Sequence, residues 1–128
     1  MERFGDFRDL KAYIKAFQQI SSVFKMTLCL PKEEKYSLTD QIRRSSRSVC
    51  ANLAEAFRKR DYPKHFLLKL TDCLGENSET LVWLDVALNC EYITNETYQE
   101  LTTINDEVGK LLMYMYNNPG KFGVATSG

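Results

Sequence analysis

The sequence predicts an all-α fold, an antiparallel up-down four-helix bundle formed by residues 1–128 as a single domain. Three observations carry that expectation. Apolar residues recur at three- and four-residue intervals along four segments, short turn-forming stretches separate the segments, and no segment shows the alternation of a convincing strand. At 128 residues the chain can bury a core without metals or disulfides.

Helix one is expected over about residues 6–28, with Phe7, Leu10, Ile14, Phe17, Ile20 and Phe24 as one apolar stripe. It ends before Pro31, in the turn-like stretch LPKEEKYS. Helix two follows over about 38–60, with Ser37 as N-cap and Asp40 in the first turn, where a carboxylate suits the helix dipole. On a helical wheel Ile42, Ser46, Val49, Cys50, Leu53, Ala56 and Phe57 gather on one side, which faces the core. Arg43, Arg47 and Arg58 share a different face, with Arg44 and Glu55 beside it. Glu55 stands three and four residues before Arg58 and Lys59, the order that stabilises a helix through local ion pairs.

Helix three is expected over about 62–90, with Asp61 as cap and Pro63 in the first turn. Its main stripe is Phe66, Leu70, Cys73, Leu74, Asn77, Leu81, Leu84 and Leu88. A second apolar line, Leu68, Gly75, Val82 and Val86, lies elsewhere on the wheel with Trp83 beyond it. That line is either a subunit interface, where Gly75 lets another helix approach, or the mark of a helix more enclosed within its own bundle. Thr94 caps helix four, expected over about 95–117, whose core side is Leu101, Ile104, Val108, Leu111, Leu112 and Met115. Asn117-Asn118-Pro119-Gly120 stops it, and the tail, 119–128, is expected to be loose.

The formal net charge is zero, yet residues 1–70 hold 15 Lys or Arg against eight Asp or Glu, and residues 71–128 hold two against nine. Six of the cations lie in YSLTDQIRRSSRSVCANLAEAFRKR, residues 36–60. Either the two halves neutralise each other across helix or subunit contacts, or the basic half presents a patch to a polyanion. The four cysteines, Cys29, Cys50, Cys73 and Cys90, form no C-x-x-C pair and are expected as buried thiols of a reducing cytoplasm. No apolar run approaches the roughly 20 residues of a membrane span, and a soluble cytoplasmic protein is expected.

Enzymatic chemistry finds little purchase. Carboxylate-bridged di-metal bundles need Glu-x-x-His pairs on facing helices, and His65, the one histidine, has Tyr62 three residues before it. There is no G-x-x-x-x-G-K phosphate loop, and His65 reads as a solvated first-turn residue. Glu76 and Glu79 sit on the polar side of helix three, where Glu79 is expected to bridge to Arg43 or Arg44. No catalytic site, metal, cofactor or small-molecule substrate is expected.

The run YSLTDQIRRSSRSVCANLAEAFRKR, followed by FLLKLTDCLGENSETLVWLDVALNCEYI and LMYMYNNPGKF, resembles the four-helix-bundle proteins encoded in intervening sequences of bacterial 23S rRNA genes. That family is also called the S23 ribosomal protein family, and it is related to the accessory protein of diversity-generating retroelements. The resemblance extends from about Phe7 to Phe122 and is most specific at Leu38, Gln41, Arg43, Arg44, Ser48, Asn52, Ala54 and Glu55. It implies a bundle that assembles into a homopentameric ring, and in the retroelement relatives a basic surface that binds nucleic acid and a reverse transcriptase. The family often has Pro at the position of Cys50 and Gly at that of Ala56, so helix two is expected to run straighter here.

Three functional hypotheses follow. In the first, Gln41, Arg43, Arg44, Ser48, Asn52, Glu55 and Glu79 are structural, with the Asn52 amide reaching a neighbouring helix and the arginines meeting acids of helix three. In the second, Arg43, Arg47, Arg58, Lys59, Arg60 and Lys64 contact the phosphates of RNA or DNA in a non-enzymatic adaptor. In the third, the protein is an interaction scaffold without nucleic acid, using Leu68, Gly75, Val82, Trp83 and Val86 and exposed aromatic residues such as Tyr114.

Overall fold

The computed structural model describes residues 5–125, and among them are four α-helices and no β-strand. The helices are α1 (Lys11–Thr27), α2 (Leu38–Arg58), α3 (Pro63–Asn89) and α4 (Asn95–Asn117), with 3-10 turns at Phe7–Asp9, Lys32–Glu34 and Pro119–Phe122. No helix among the described residues is long and apolar enough to cross a membrane.

Side-chain pairings show how the helices run. Ser45 meets Thr80, and Lys69 meets Asn52, so numbers rise on α3 as they fall on α2. Asn77 with Asn105 and Asp85 with Tyr98 set α3 against α4 in the same way, and Gln19 with Asn105 and Lys15 with Glu107 do so for α1 and α4. Along each of these three contacts residue numbers rise on one helix as they fall on the other. α2 and α4 each pack along both α1 and α3.

The core has two apolar parts with a polar layer between them. The larger gathers Leu10, Ala12 and Ala16 with Val49, Leu53, Phe57, Phe66, Leu70, Val108, Leu112 and Met115. The smaller consists of Val23, Met26, Ile42, Leu84 and Leu101. At the level between them every helix contributes polar side chains, all buried: Gln19 from α1, Ser45 and Ser46 from α2, Asn77 and Thr80 from α3, and Asn105 from α4. Gln19 Nε2 donates to Asn77 Oδ1 at 3.0 Å, and Asn77 Nδ2 donates to the Asn105 carbonyl at 3.0 Å. Asn105 Nδ2 donates to Gln19 Oε1 at 2.8 Å and to the Asn77 carbonyl at 2.9 Å. The Ser45 and Thr80 hydroxyls share a 2.8 Å hydrogen bond, which brings α2 into the same layer.

This layer decides the orientation of α1 and corrects the sequence expectation. Only Leu10 of the expected stripe is fully enclosed, and it precedes the helix, in extended backbone at φ −66°, ψ 132°. Phe7 and Ile20 are partly buried, whereas Ile14, Phe17 and Phe24 face outward. The buried side of α1 is Ala12, Ala16, Gln19, Val23 and Met26. Small alanines allow a close helix approach, and Gln19 must turn inward to complete the amide cluster, so the bulky residues are left outside.

Other elements differ in detail. Ser37 occupies the N-cap of α2, but its hydroxyl donates to Glu34 Oε1 at 2.6 Å, and it is Glu34 that accepts from the Leu38 N–H at 3.2 Å. Tyr92 also donates to Glu34, at 2.9 Å, which ties the α1–α2 turn to the α3–α4 turn. Tyr62, not Asp61, precedes α3, without a side-chain cap, and Pro63 takes the first turn. Thr94 caps α4 by accepting from the Thr97 N–H at 3.1 Å. The expected loose tail is held as far as Val124, which is buried, and Phe122 packs edge-on against Tyr114; residues 126–128 lie outside the described ones. Of the cysteines, Cys50 and Cys73 are buried, and burial pushes both thiols up to about 12, whereas Cys29 and Cys90 are exposed because each lies just past the end of its helix.

Two predictions follow from these contacts. Asn105→Ala, which takes the donor away from buried Gln19 Oε1 while the Gln19–Asn77 bond remains, should cost about 1 to 3 kcal/mol. Replacing Gln19, Asn77 and Asn105 together by leucine should cost less, because no buried polar group is orphaned. Urea unfolding measures both, and a triple variant weaker than the single one would refute the cluster's role. Separately, hydrogen bonds from Ser37, Tyr92 and the Leu38 N–H lower the Glu34 pKa below its ordinary value. Its charge therefore stabilises the fold above the ordinary carboxylate range, and that contribution disappears as pH falls through the lowered value. Glu34→Gln should melt earlier than wild type at neutral pH, with the gap closing in acid.

Candidate nucleic-acid interface

The amphipathic pattern of α2 places Ile42, Val49, Leu53 and Phe57 in the core, and the arginines of the same helix are thereby turned outward. α2 is one continuous helix from Leu38 to Arg58. Along its outer side, with the turn before it, runs a groove of about 520 Å3 lined by Lys35, Tyr36, Thr39, Asp40, Arg43, Arg44, Arg47 and Ser48. Thr39, Arg43 and Arg47 are four residues apart on one face of α2, and Lys35 lines the same groove from the turn before the helix. Like charges one turn apart are mildly destabilising, and an anion in the groove would relieve them.

The cations are held differently. Arg43 Nε donates to Thr27 Oγ1 at 2.8 Å, and its guanidinium lies 4.7 Å from the centre of the Phe24 ring. Arg44 donates to Gln41 Oε1 and to Glu79 Oε1, each at 3.2 Å, so the ion pair with helix three is made by Arg44. Lys35 Nζ sits 5.4 Å from the centre of the Tyr36 ring, which is 85 % exposed at one end of the groove. Arg47 is exposed and has no ion pair among the described residues. Among the described residues, three of the four groove cations thus lack a carboxylate partner.

The remaining basic candidates form a second cluster. Arg58 ends α2, Lys59 follows it, and Lys64 is exposed in the first turn of α3. Eleven residues separate Arg47 from Arg58, about 16 Å along a helix axis. Arg60 belongs to the scaffold: its guanidinium stacks 3.6 Å from the Phe57 ring centre, Nε donates to the Phe57 carbonyl at 2.9 Å and Nη1 to the Phe122 carbonyl at 3.3 Å. Lys35 lies in the turn before α2, outside the helical pattern from which the other cations are legible.

The motif residues of α2 clasp α3. Asn52 Nδ2 donates to the Ser48 carbonyl at 3.0 Å, and Asn52 Oδ1 accepts from Lys69 Nζ at 3.2 Å. Glu55 pairs with the same Lys69, contrary to the expected local pairs with Arg58 and Lys59, and this contact lowers its pKa. The packing of α3 against α2 brings Lys69 closer than the side chains one turn ahead. On α3, Leu68, Gly75 and Val82 stand exposed, whereas Val86 is partly covered, as is Trp83, whose Nε1 donates to Glu79 Oε1 at 3.4 Å. His65 is exposed and meets Tyr62 edge-on. One Glu76 oxygen, Oε2, is buried without a hydrogen-bond partner among the described residues. Among the described residues no three or more His, Cys, Asp or Glu side chains converge to hold a metal.

Four helices around a polar-layered core, with a cationic groove on one outer side, define a small all-α protein built around its surfaces. The model of the 23S rRNA-intervening sequence protein family matches residues 8–114, and the chain belongs to that family. A solved structure from Bacteroides thetaiotaomicron, a protein of unknown function from the S23 ribosomal protein family, is similar to it. The two share 27 % identity over 83 % of this chain and 95 % of the other, with a TM-score of 0.75. No curated protein matches the chain.

Arg43 and Arg47, one turn apart, should separate structural from surface roles. Arg43→Ala removes the Thr27 hydrogen bond and the Phe24 contact and should cost about 1 to 2 kcal/mol. Arg47→Ala should stay within about 0.5 kcal/mol of wild type. Equal urea midpoints for the two variants would contradict the assignment.

Proposed function

We propose that the protein is a non-enzymatic, self-assembling adaptor that holds the backbone of a nucleic acid along the outer face of α2. The observation that carries this is the groove in which Lys35, Arg43 and Arg47 have no carboxylate partner among the described residues. Phosphate oxygens are the natural complement of such a row, and exposed Tyr36 at its end offers a face on which a base can stack. Arg58 at the end of α2, Lys59 just after it and Lys64 in the first turn of α3 extend the footprint beyond that helix. Recognition by backbone and shape fits the lack of a helix-turn-helix signature.

The same proposal takes the chain as an up-down bundle that repeats in a homopentameric ring, as the family resemblance implies. A ring presents the groove once per copy, so weak contacts add through multivalency. A cytoplasmic setting belongs to this reading, and the exposed thiols of Cys29 and Cys90 support it. The exposed apolar residues of α1 and α3 favour, as a second reading, a protein-interaction scaffold without nucleic acid.

Fluorescence anisotropy of a labelled, mixed-sequence structured RNA at about 50 and about 300 mM salt separates the two. The adaptor should bind at low salt and lose affinity steeply, and Lys35→Ala with Arg47→Ala should flatten the salt dependence by about one unit of slope per lost contact. Absence of binding at both salts would leave the scaffold.

A further inference from the structure

We propose that the outward face of α1 in one copy of this chain docks on the outward face of α3 in the next, a head-to-tail contact that rests on the self-assembly reading above. Ile14, Phe17, Phe24 and Leu28 are 59, 51, 42 and 67 % exposed. With Ser21 they fall at alternating steps of three and four residues, the seam of a helix that packs on another helix. On α3, Leu68 and Val82 are 62 and 51 % exposed, with Gly75 seven residues from each. A Cβ at Gly75 would meet nothing within 4 Å, so packing inside the chain does not require glycine there. A mid-helix glycine is destabilising relative to alanine, and close approach of a second helix accounts for it. The α1 face thus offers bulky residues and the α3 face a shallow place to receive them.

Charge selects the partner. α1 carries Lys11, Lys15 and Lys25 and no acid, whereas α3 carries Lys64 and Lys69 at its start and then Asp72, Glu76, Glu79 and Asp85 with no further base. Pairing α1 with α1, or α3 with α3, would bring like charges together; α1 on α3 brings opposite ones. Within a chain α1 and α3 lie across the core, their side chains meeting in the Gln19–Asn77 hydrogen bond, and their exposed faces point away from each other. Each copy therefore offers one of each face on opposite sides. Such a contact is heterologous and repeats until the ring closes.

Light-scattering mass of the full chain without nucleic acid tests this, using Phe17→Glu on the α1 face and Val82→Glu on the α3 face. Wild type should be oligomeric, and each variant alone should fall to the mass of one chain. An equal mixture should give two chains and no more, because one intact α1 face meets one intact α3 face and the two altered faces repel. Failure of the mixture to associate would overturn the head-to-tail geometry. Variants that keep the wild-type mass would overturn the contact while leaving self-assembly standing, and a monomeric wild type would overturn both. Circular dichroism verifies folding, and Ile14→Gln with Gly75→Leu forms a second pair if a glutamate variant unfolds.

Discussion

The amide cluster of Gln19, Asn77 and Asn105 is the constraint around which the rest of the structure is arranged. Buried amides tolerate few alternatives, since each must find its partners or bear the cost of desolvation. The three side chains come from α1, α3 and α4, and they satisfy one another only at one rotation and one height of each helix. The Ser45–Thr80 pair adds α2 at the same height. A purely apolar core of this size would allow helices to slide by a turn at modest cost. The polar layer removes that freedom.

From this the surfaces follow. With Gln19 turned inward, Ile14, Phe17 and Phe24 have nowhere to go but outward, where Arg43 covers part of Phe24. With Asn77 inward, Leu68, Gly75 and Val82 end up on the opposite side of α3. The apolar faces that the chain leaves open are thus a product of the same hydrogen bonds that hold its interior. The cationic row on α2 arises similarly, since burying Val49 and Leu53 turns Arg43 and Arg47 to solvent. Membership of the 23S rRNA-intervening sequence protein family gives these features a common frame without assigning them a task.

Much of this was legible in the sequence, and the failures have physical causes. The four helices and the core side of α2 could be read from apolar periodicity, and α4 was the plainest because Thr94 and Pro119 punctuate it. For α1 apolar periodicity points to the wrong side, because residue size outweighs position in such a pattern: Ile14, Phe17 and Phe24 mark a stripe that Ala12, Ala16 and Gln19 do not. Glutamine and asparagine look like surface residues until their partners from other helices are known, so Gln19 and Asn105 could not have been seen as core. Of the candidate interface, the arginines were evident, but their division into a groove and a distal cluster was not. The anchoring of Arg60 to the Phe122 carbonyl depends on a contact between distant segments, and Lys35 stands in a turn where helical periodicity says nothing.

The polar layer also divides the molecule into halves of unequal firmness. Opening free energies follow local apolar burial, and the half built on Val23, Met26, Ile42, Leu84 and Leu101 has far less of it than the other. The groove from Lys35 to Arg47 rides mainly on that weaker half, beside the turns joined by Glu34 and Tyr92. An occupant of the groove would therefore act as a splint, slowing amide exchange in the part of the bundle that otherwise breathes most.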